Sequence, residues 1–417
     1  MAGKNEPIAS GRRGSRLSRR VLLAGTVATA GALAFADGAA SQVPAPAVPD
    51  DPTKVPGPPP APVGVRSPFE HPARLTPAPV PAFTPLDQLH GTITPSDLHY
   101  VIARGGIPAI DPAQYQLIIH GMVDRPTSFS LEDLKRFPSV SRIMFLECAG
   151  NTRGAWKGAP PDSTVEQLEG WTSTSEWTGV PVGTLLKEVG VNSGASWALA
   201  EGSDAGALSR SIPVDKLLSD GLIAYGQNGE AIRPEQGYPA RLLLPGWIGN
   251  TNVKWLRRLK LGDQPFMTRY ETALYTFPEP DARAVQFAFV LEAKSAITRP
   301  SGGMTIPDPG FWEVTGIAWS GRGRITRVEV SADGGKTWGE ATLQEPVLPI
   351  SHTRFRFPWM WDGNEAILQS RATDETGYVQ PTRTQLVAVR GTDFGEMFNG
   401  IIGWKVATDG KVTYVES

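Results

Sequence analysis

Cys148 is the only cysteine among 417 residues, and its neighbours equip it for chemistry. It is followed by Ala149, Gly150, Asn151, Thr152 and Arg153. Two small residues let the backbone turn and let a bulky group approach the sulfur. Arg153 adds positive charge, which is expected to lower the thiol pKa and favour the thiolate. Only the thiolate ligates a soft metal well. On these residues alone three uses stay open: a reactive or intermolecularly bridged thiol, a metal ligand, or an inert buried thiol. One cysteine excludes an internal disulfide and cannot hold an iron–sulfur cluster by four thiolates. The sequence also has no Cys-x-x-Cys-His haem motif.

These residues must be held by ordered elements, and the pattern supplies them. Arg142–Glu147 reads as a strand that delivers Cys148 at its end. Tyr115–His120 alternates and stops at Gly121, as a strand does. Ser130 to Pro138 begins with a capping serine and an acidic first turn and closes before proline, a short helix. Val182–Val189 is a second short helix, and Arg241–Leu244 is a buried strand closed by Pro245-Gly246. After about Asp281 the texture changes. Phe311–Trp319 and Ile325–Ser331 alternate with period two, the latter before the turn Asp333-Gly334-Gly335. Further strand-like runs are Phe355–Trp361, Ala366–Arg371 and Gln385–Val389. Short strands without helices predict an antiparallel β-sandwich. The fold class expected is therefore α+β, a mixed first domain and an immunoglobulin-like sandwich. No internal repeat is visible.

Composition bounds the function. Hydrophobic residues make up 40% and charged residues 20%, and the formal net charge is -2. That is ordinary for a globular protein, and the dispersed lysines and arginines argue against nucleic acid as a partner. The basic cluster at the start belongs elsewhere. Arg19-Arg20 precedes an apolar run, Val21 to Ala36, ending in the small-x-small site Ala34-Phe35-Ala36. This is the pattern of a signal peptide, residues 1–36, and the arginine pair points to twin-arginine export to the periplasm. The run is shorter than the ~20 residues a membrane span needs. Cleavage would leave a more acidic mature chain with no membrane span. Residues 37–85, rich in Pro and Ala, are expected to form an extended arm or linker that drapes over the body or meets a partner.

Phe145-Leu146-Glu147-Cys148-Ala149-Gly150-Asn151 resembles the cysteine segment of the sulfite oxidase family. Arg233 to Arg241, with Pro245-Gly246 and Val253-Lys254-Trp255-Leu256, is similar to that family's pterin-binding stretch. Ala318-Trp319-Ser320-Gly321, Val328–Ser331 and Asp333 to Trp338 resemble its C-terminal dimerisation domain. The resemblance runs in order from about residue 92 to the end. It implies a molybdenum-pterin domain over 86–280 and a dimerisation sandwich over 281–417. It also implies molybdenum and molybdopterin as cofactors, with Cys148 as the thiolate ligand to the metal. By matched position it implies Arg104, Arg153, Tyr275 and Arg356 around the substrate, where a guanidinium can hold an oxyanion by two hydrogen bonds. It implies Asp204, Arg241, Asn252, Val253 and Lys254 against the pterin. Two departures stand out. Gly105-Gly106 replaces the frequent Asn-His after Arg104, and Gln236 stands where animal members carry histidine.

The activity this implies first is oxidation of sulfite to sulfate. Electrons would leave to a separate carrier, a c-type cytochrome, because the chain has no haem motif of its own. A homodimer is implied by the family alone. The alternatives are the sulfane dehydrogenase molybdenum subunit of a thiosulfate-oxidising system, a metal-free scaffold of the same fold and, more remotely, a nitrate-reducing variant.

Overall fold

The computed structural model describes residues 56–77 and 81–417; the signal-peptide reading of residues 1–36 lies outside them. Residues 56–65 carry no helix or strand and are exposed. Residues 66–417 form one compact unit. Within it the arm is held by polar ties. Arg66 pairs with Asp97 at 2.6 Å, Arg74 with Glu235 at 3.3 Å, and Thr84 N donates to Gly170 O at 2.8 Å. So the described part of the arm from Arg66 onward lies against the body.

The first half contains two sheets. One has five strands in the order Thr127–Ser130, Gln116–Gly121, Leu256–Gly262, Trp197–Gly202 and Ser209–Pro213. Gln116–Gly121 and Leu256–Gly262 run parallel and the other pairs antiparallel. The other sheet pairs Val140–Glu147 with Thr172–Pro181, and that with Leu222–Gln227; Arg241–Leu243 joins the far edge. In the first sheet the alternation is plain. Leu117 and Ile119 are buried while Gln116 and Ile118 face outward. Leu131–Arg136 forms because Ser130 accepts from Asp133 N and Asp133 accepts from Ser130 N, a reciprocal cap of two orphan donors. Val182–Val189 is helical as read, with Val182, Leu185, Leu186 and Val189 all buried at helical spacing.

The second half is an antiparallel sandwich. One sheet holds Lys294–Arg299, Gly310–Trp319, Thr353–Trp361 and Thr342–Gln344. The other holds Gly339–Glu340, Ile325–Ser331, Ala366–Asp374, Gly403–Val406 and Val412–Val415. Val314, Val328, Leu368 and Trp404 meet between them with no exposure. One expected strand is a helix instead. Gln385–Val389 lies within the helix Arg383–Arg390, where Thr382 and Gln385 cap each other's backbone donors. Leu386 is buried and Val389 exposed, a one-sided pattern that the apolar letters alone do not reveal.

The halves share one core rather than meeting at a linker. Phe145, Ala149, Trp156, Val165 and Phe277 pack in the same cluster as Trp319, Phe355, Phe394 and Trp404. Around residue 281 the chain makes a hairpin, Phe277–Glu279 with Arg283–Val285. Among the described residues no helix is long and apolar enough to cross a membrane.

Candidate active site

Cys148 follows the last residue of Val140–Glu147, so the strand aims it and the following loop cradles it. Its N–H donates to Trp171 O at 2.9 Å, and its carbonyl accepts from Asn151 N at 2.9 Å. Thr152, at φ 62°, turns the chain back, and Arg153 begins a single tight turn, Arg153–Trp156. Gly150 is closely packed: a Cβ there would stand 3.0 Å from both Glu396 Oε2 and Trp171 Cζ3.

The loop is locked from behind by buried charge. Lys294 Nζ lies 3.1 Å from Glu147 Oε1 and 2.7 Å from Glu169 Oε2, and donates to Thr152 Oγ1 at 2.6 Å. Trp319 Nε1 donates to Glu147 Oε2 at 2.7 Å, and Asn151 Nδ2 to Glu147 Oε1 at 2.9 Å. Burial disfavours the Lys294 ammonium, but Glu147 and Glu169 outweigh it and raise its pKa. Burial also raises Glu169, against the pull of Lys294. The cation and one indole come from the sandwich, so that half of the chain holds the cysteine loop in place.

Cys148 opens onto two adjoining spaces. The deeper one, about 790 Å³ with its mouth, is lined by Asp204, Arg241, Lys254, Asn250, Tyr275 and others. The shallower one, about 570 Å³, lies between Arg104, Arg153, Trp171 and Glu396. Cys148 and Arg104 border both.

The deep cavity is built to meet an anion. Lys254 Nζ donates only to carbonyls, those of Ile102 and Glu235 at 2.8 Å each. Burial, with Arg241 nearby, brings its pKa down to about 7. Arg241 donates to the carbonyls of Gln236 at 2.8 Å and Asn252 at 3.0 Å, and burial lowers it to about 10. Among the described residues its Nε has no partner, and neither atom of the Asn250 side-chain amide has one. Buried polar atoms are costly without partners, so a polar, negatively charged ligand is what this wall lacks. Asp204 Oδ1 accepts from Leu208 N at 3.0 Å, on a loop that Gly105 touches. A Cβ on Gly105 would meet Gly206 N at 2.6 Å, which is why glycine stands there. Gln236 bridges Tyr100 O, at 2.8 Å, to Arg241.

Tyr275 is buried at the cavity, its ring 4.7 Å from the Arg210 guanidinium. Arg210 is fully buried and forms a two-pronged pair with Glu271, at 2.7 and 3.1 Å. Glu271 lies in the π-helical turn Tyr270–Leu274, a local irregularity of the kind found at functional sites. Burial and the Cys148 sulfur raise the Tyr275 phenol above its ordinary pKa, keeping it a donor.

Three expectations need correction. Arg356 does not join the site: it is exposed on Thr353–Trp361 and lines a separate groove with His90 and Arg299. Strand alternation decides this, because Phe355 takes the inward position beside it. Val253 is fully buried among aliphatic side chains, and it is not part of the cavity lining. Asn252 borders the cavity, but its amide is occupied by Leu244 N, Trp247 O and Ile248 O. The thiol also behaves differently. Burial, with the Glu396 carboxylate, pushes Cys148 up to about 12, and the cation that opposes this is Arg104, not Arg153. Arg153 therefore does not by itself make the thiol a thiolate; a metal bound at the sulfur would. Trp171, Asn250, Lys294 and Glu396 were not assigned from sequence; each comes from a loop or strand remote from Cys148, with no local motif.

Comparison with known proteins is consistent with this geometry. The family described as "Oxidoreductase molybdopterin binding domain" matches residues 104–270, and "Mo-co oxidoreductase dimerisation domain" matches 285–400. Sulfite oxidase of Gallus gallus is 32% identical over 364 residues, covering 81% of this chain and 77% of its own length. The chain belongs to the sulfite oxidase family. Among solved structures, the sulfane dehydrogenase SoxCD from Paracoccus pantotrophus aligns with TM-score 0.83 and 44% identity, over 85% of this chain and 94% of that one. A nitrate reductase [NADH] of Solanum lycopersicum is 32% identical over 346 residues, 72% of this chain. The chain spans only 37% of that protein's length. Membership in the sulfite oxidase family brings molybdenum with molybdopterin as cofactor, and the residues fit it. Arg241, Lys254 and the unpartnered Asn250 amide would hold the pterin and its phosphate. Cys148 offers the one protein thiolate. Among the described residues no cluster of three His, Cys, Asp or Glu is placed to hold a metal alone. The remaining ligands must come with the cofactor.

Proposed function

We propose that this molybdenum oxidoreductase oxidises a small sulfur oxyanion, with sulfite converted to sulfate. The observation that carries this is the pair Arg104 and Arg153 at the shallow chamber beside Cys148. Among the described residues neither guanidinium is engaged in an ion pair. Unpaired guanidiniums at a chamber lined by the metal's ligand are suited to an oxyanion. The Arg153 guanidinium lies 5.5 Å over Trp171, itself stacked on Phe83, which fixes the fork's plane. The buried Trp171 Nε1–H has no partner among the described residues and is a further donor for a substrate oxygen.

The cofactor, when bound, supplies two-electron acceptance and a transferable oxygen. The chain's own groups hold the substrate and manage charge. Arg104 and Arg153 bind and orient the anion, and Tyr275 holds a proton at its phenol beside the cavity. Hydrogen sulfite and water give sulfate, three protons and two electrons; the electrons pass singly to an external acceptor, a c-type cytochrome. The enzyme works as a homodimer through its sandwich, in the periplasm after twin-arginine export. Steady-state turnover of purified holoenzyme with sulfite and cytochrome c tests the reading; absence of turnover with sulfite would reject it.

A second reading rests on the 44% identity with SoxCD. Here the substrate is a sulfane sulfur carried on another protein. Turnover of carrier-bound sulfane with none of free sulfite would establish it.

A further inference from the structure

Glu396 brings a carboxylate into the chamber that the two arginines define. It is delivered by a strap from the second half of the chain, Gly391 to Asn399. Phe394 and Phe398 are buried and pack on Trp156 at ring distances of 5.7 and 5.2 Å. Trp156 Nε1 donates to Glu396 O at 3.1 Å, and Met397 N to Ala149 O at 2.6 Å. Both flanking residues have left-handed backbone, Gly395 at φ 76° and Met397 at φ 53°. Met397 has no glycine freedom, so its conformation is held by the bond to Ala149. The strap is thus pinned on both sides of Glu396 to the cysteine loop.

The carboxylate itself has no structural task. No ion pair or hydrogen bond ties it to another side chain among the described residues, although Arg104 and Arg153 line the same chamber. A carboxylate that merely neutralised an arginine would sit against it. This one lies beside Gly150, where a Cβ would come within 3.0 Å of its Oε2.

We infer that Glu396 is a specificity-determining residue that tunes the chamber to singly charged sulfur–oxygen groups and disfavours dianions. Two guanidiniums alone would favour a doubly charged anion. Adding one negative charge leaves a net charge that matches a monoanion and repels the second charge of a dianion. Hydrogen sulfite, the protonated form of the substrate, is a monoanion and the product sulfate a dianion, so the same repulsion admits the one and helps the other leave. This rests on the proposed oxidation of a sulfur oxyanion, and it extends to a carrier-bound substrate only through the charge of its reacting end.

The test is equilibrium binding, independent of turnover. Burial raises the Glu396 pKa against the pull of Arg153 and Arg104, so mildly alkaline pH keeps the carboxylate charged. Oxidised holoenzyme is titrated calorimetrically at that pH with sulfate, a dianion, and methanesulfonate, a monoanion with a similar head. Glu396→Gln keeps the size and the backbone anchors. It should tighten sulfate about tenfold more than it tightens methanesulfonate, the scale of a charge–charge effect in a partly screened pocket. Glu396→Asp, which keeps the charge, should stay nearer to wild type in its preference between the two. Equal changes for both anions in Glu396→Gln, or no change for either, would overturn the inference. Melting temperatures of both variants guard against misfolding. Sulfite turnover is measured separately: its absence alongside a shifted sulfate preference counts against the proposed substrate, not against the role of Glu396.

Discussion

Left without metal, Cys148 is a poor thiolate: burial and the carboxylates of Glu396 and Glu147 hold its proton on. Arg153 borders the chamber with its guanidinium over Trp171, and among the described residues it forms no ion pair. Replacing it by glutamine removes a charge-assisted hydrogen bond worth roughly 1.5–3 kcal/mol. Arg153→Gln should therefore raise KM for sulfite about tenfold to a hundredfold, read by steady-state kinetics; unchanged KM and kcat would remove Arg153 from the substrate. At this scale the sequence was legible where residue type and neighbours agreed. Cys148 between a strand and two small residues was one such place, and Arg241 and Lys254 in a matched stretch were another. It was not legible where parity decides, as at Arg356, or where tertiary folding brings in a lone side chain. Asn250, Trp171 and Glu396 carry no sign of their site in their own surroundings.

The strand Lys294–Arg299 does more than complete a sheet. Its first residue supplies the ammonium shared by Glu147 and Glu169 behind the cysteine loop. Lys294→Met would leave those carboxylates buried without a cation, which costs about 3–5 kcal/mol when one partner of a buried pair is removed. The variant should unfold at lower denaturant and lose molybdenum more readily, seen by chemical denaturation and metal analysis. Wild-type stability and metal content would show that the network does not hold the loop. Most elements could be read from alternation and caps, and Val182–Val189 and Ile325–Ser331 match residue for residue. The apolar letters of the helix Arg383–Arg390 read as a strand when its cap is left out. Thr382 followed by Gln385 was the available signal.

Across the whole molecule, the two halves share one core, and two buried histidines sit near their junction. Burial depresses both His99 and His352 to about 3. Unfolded histidine titrates near 6.5, so between 6.5 and 3 the unfolded chain binds more protons than the folded one. Stability from these two groups is therefore full above the unfolded pKa and falls as pH drops through that window. By pH ~5 each should cost about 2 kcal/mol. Denaturation midpoints should decline from neutral to mildly acidic pH, and His352→Gln should flatten the decline; an equal slope in the variant would contradict it. The sequence told of two textures and a boundary near 281, but not that the textures fuse. Phe145 and Trp156 look like residues of their own half until the fold packs them beside Trp319 and Phe394.

The central claim is that the Cys148 sulfur is bonded to molybdenum. Molybdenum X-ray absorption on purified holoenzyme, compared with Cys148→Ser, tests it directly. The metal should show one sulfur neighbour fewer in the variant, with sulfite turnover lost. An identical sulfur count in both proteins would contradict it.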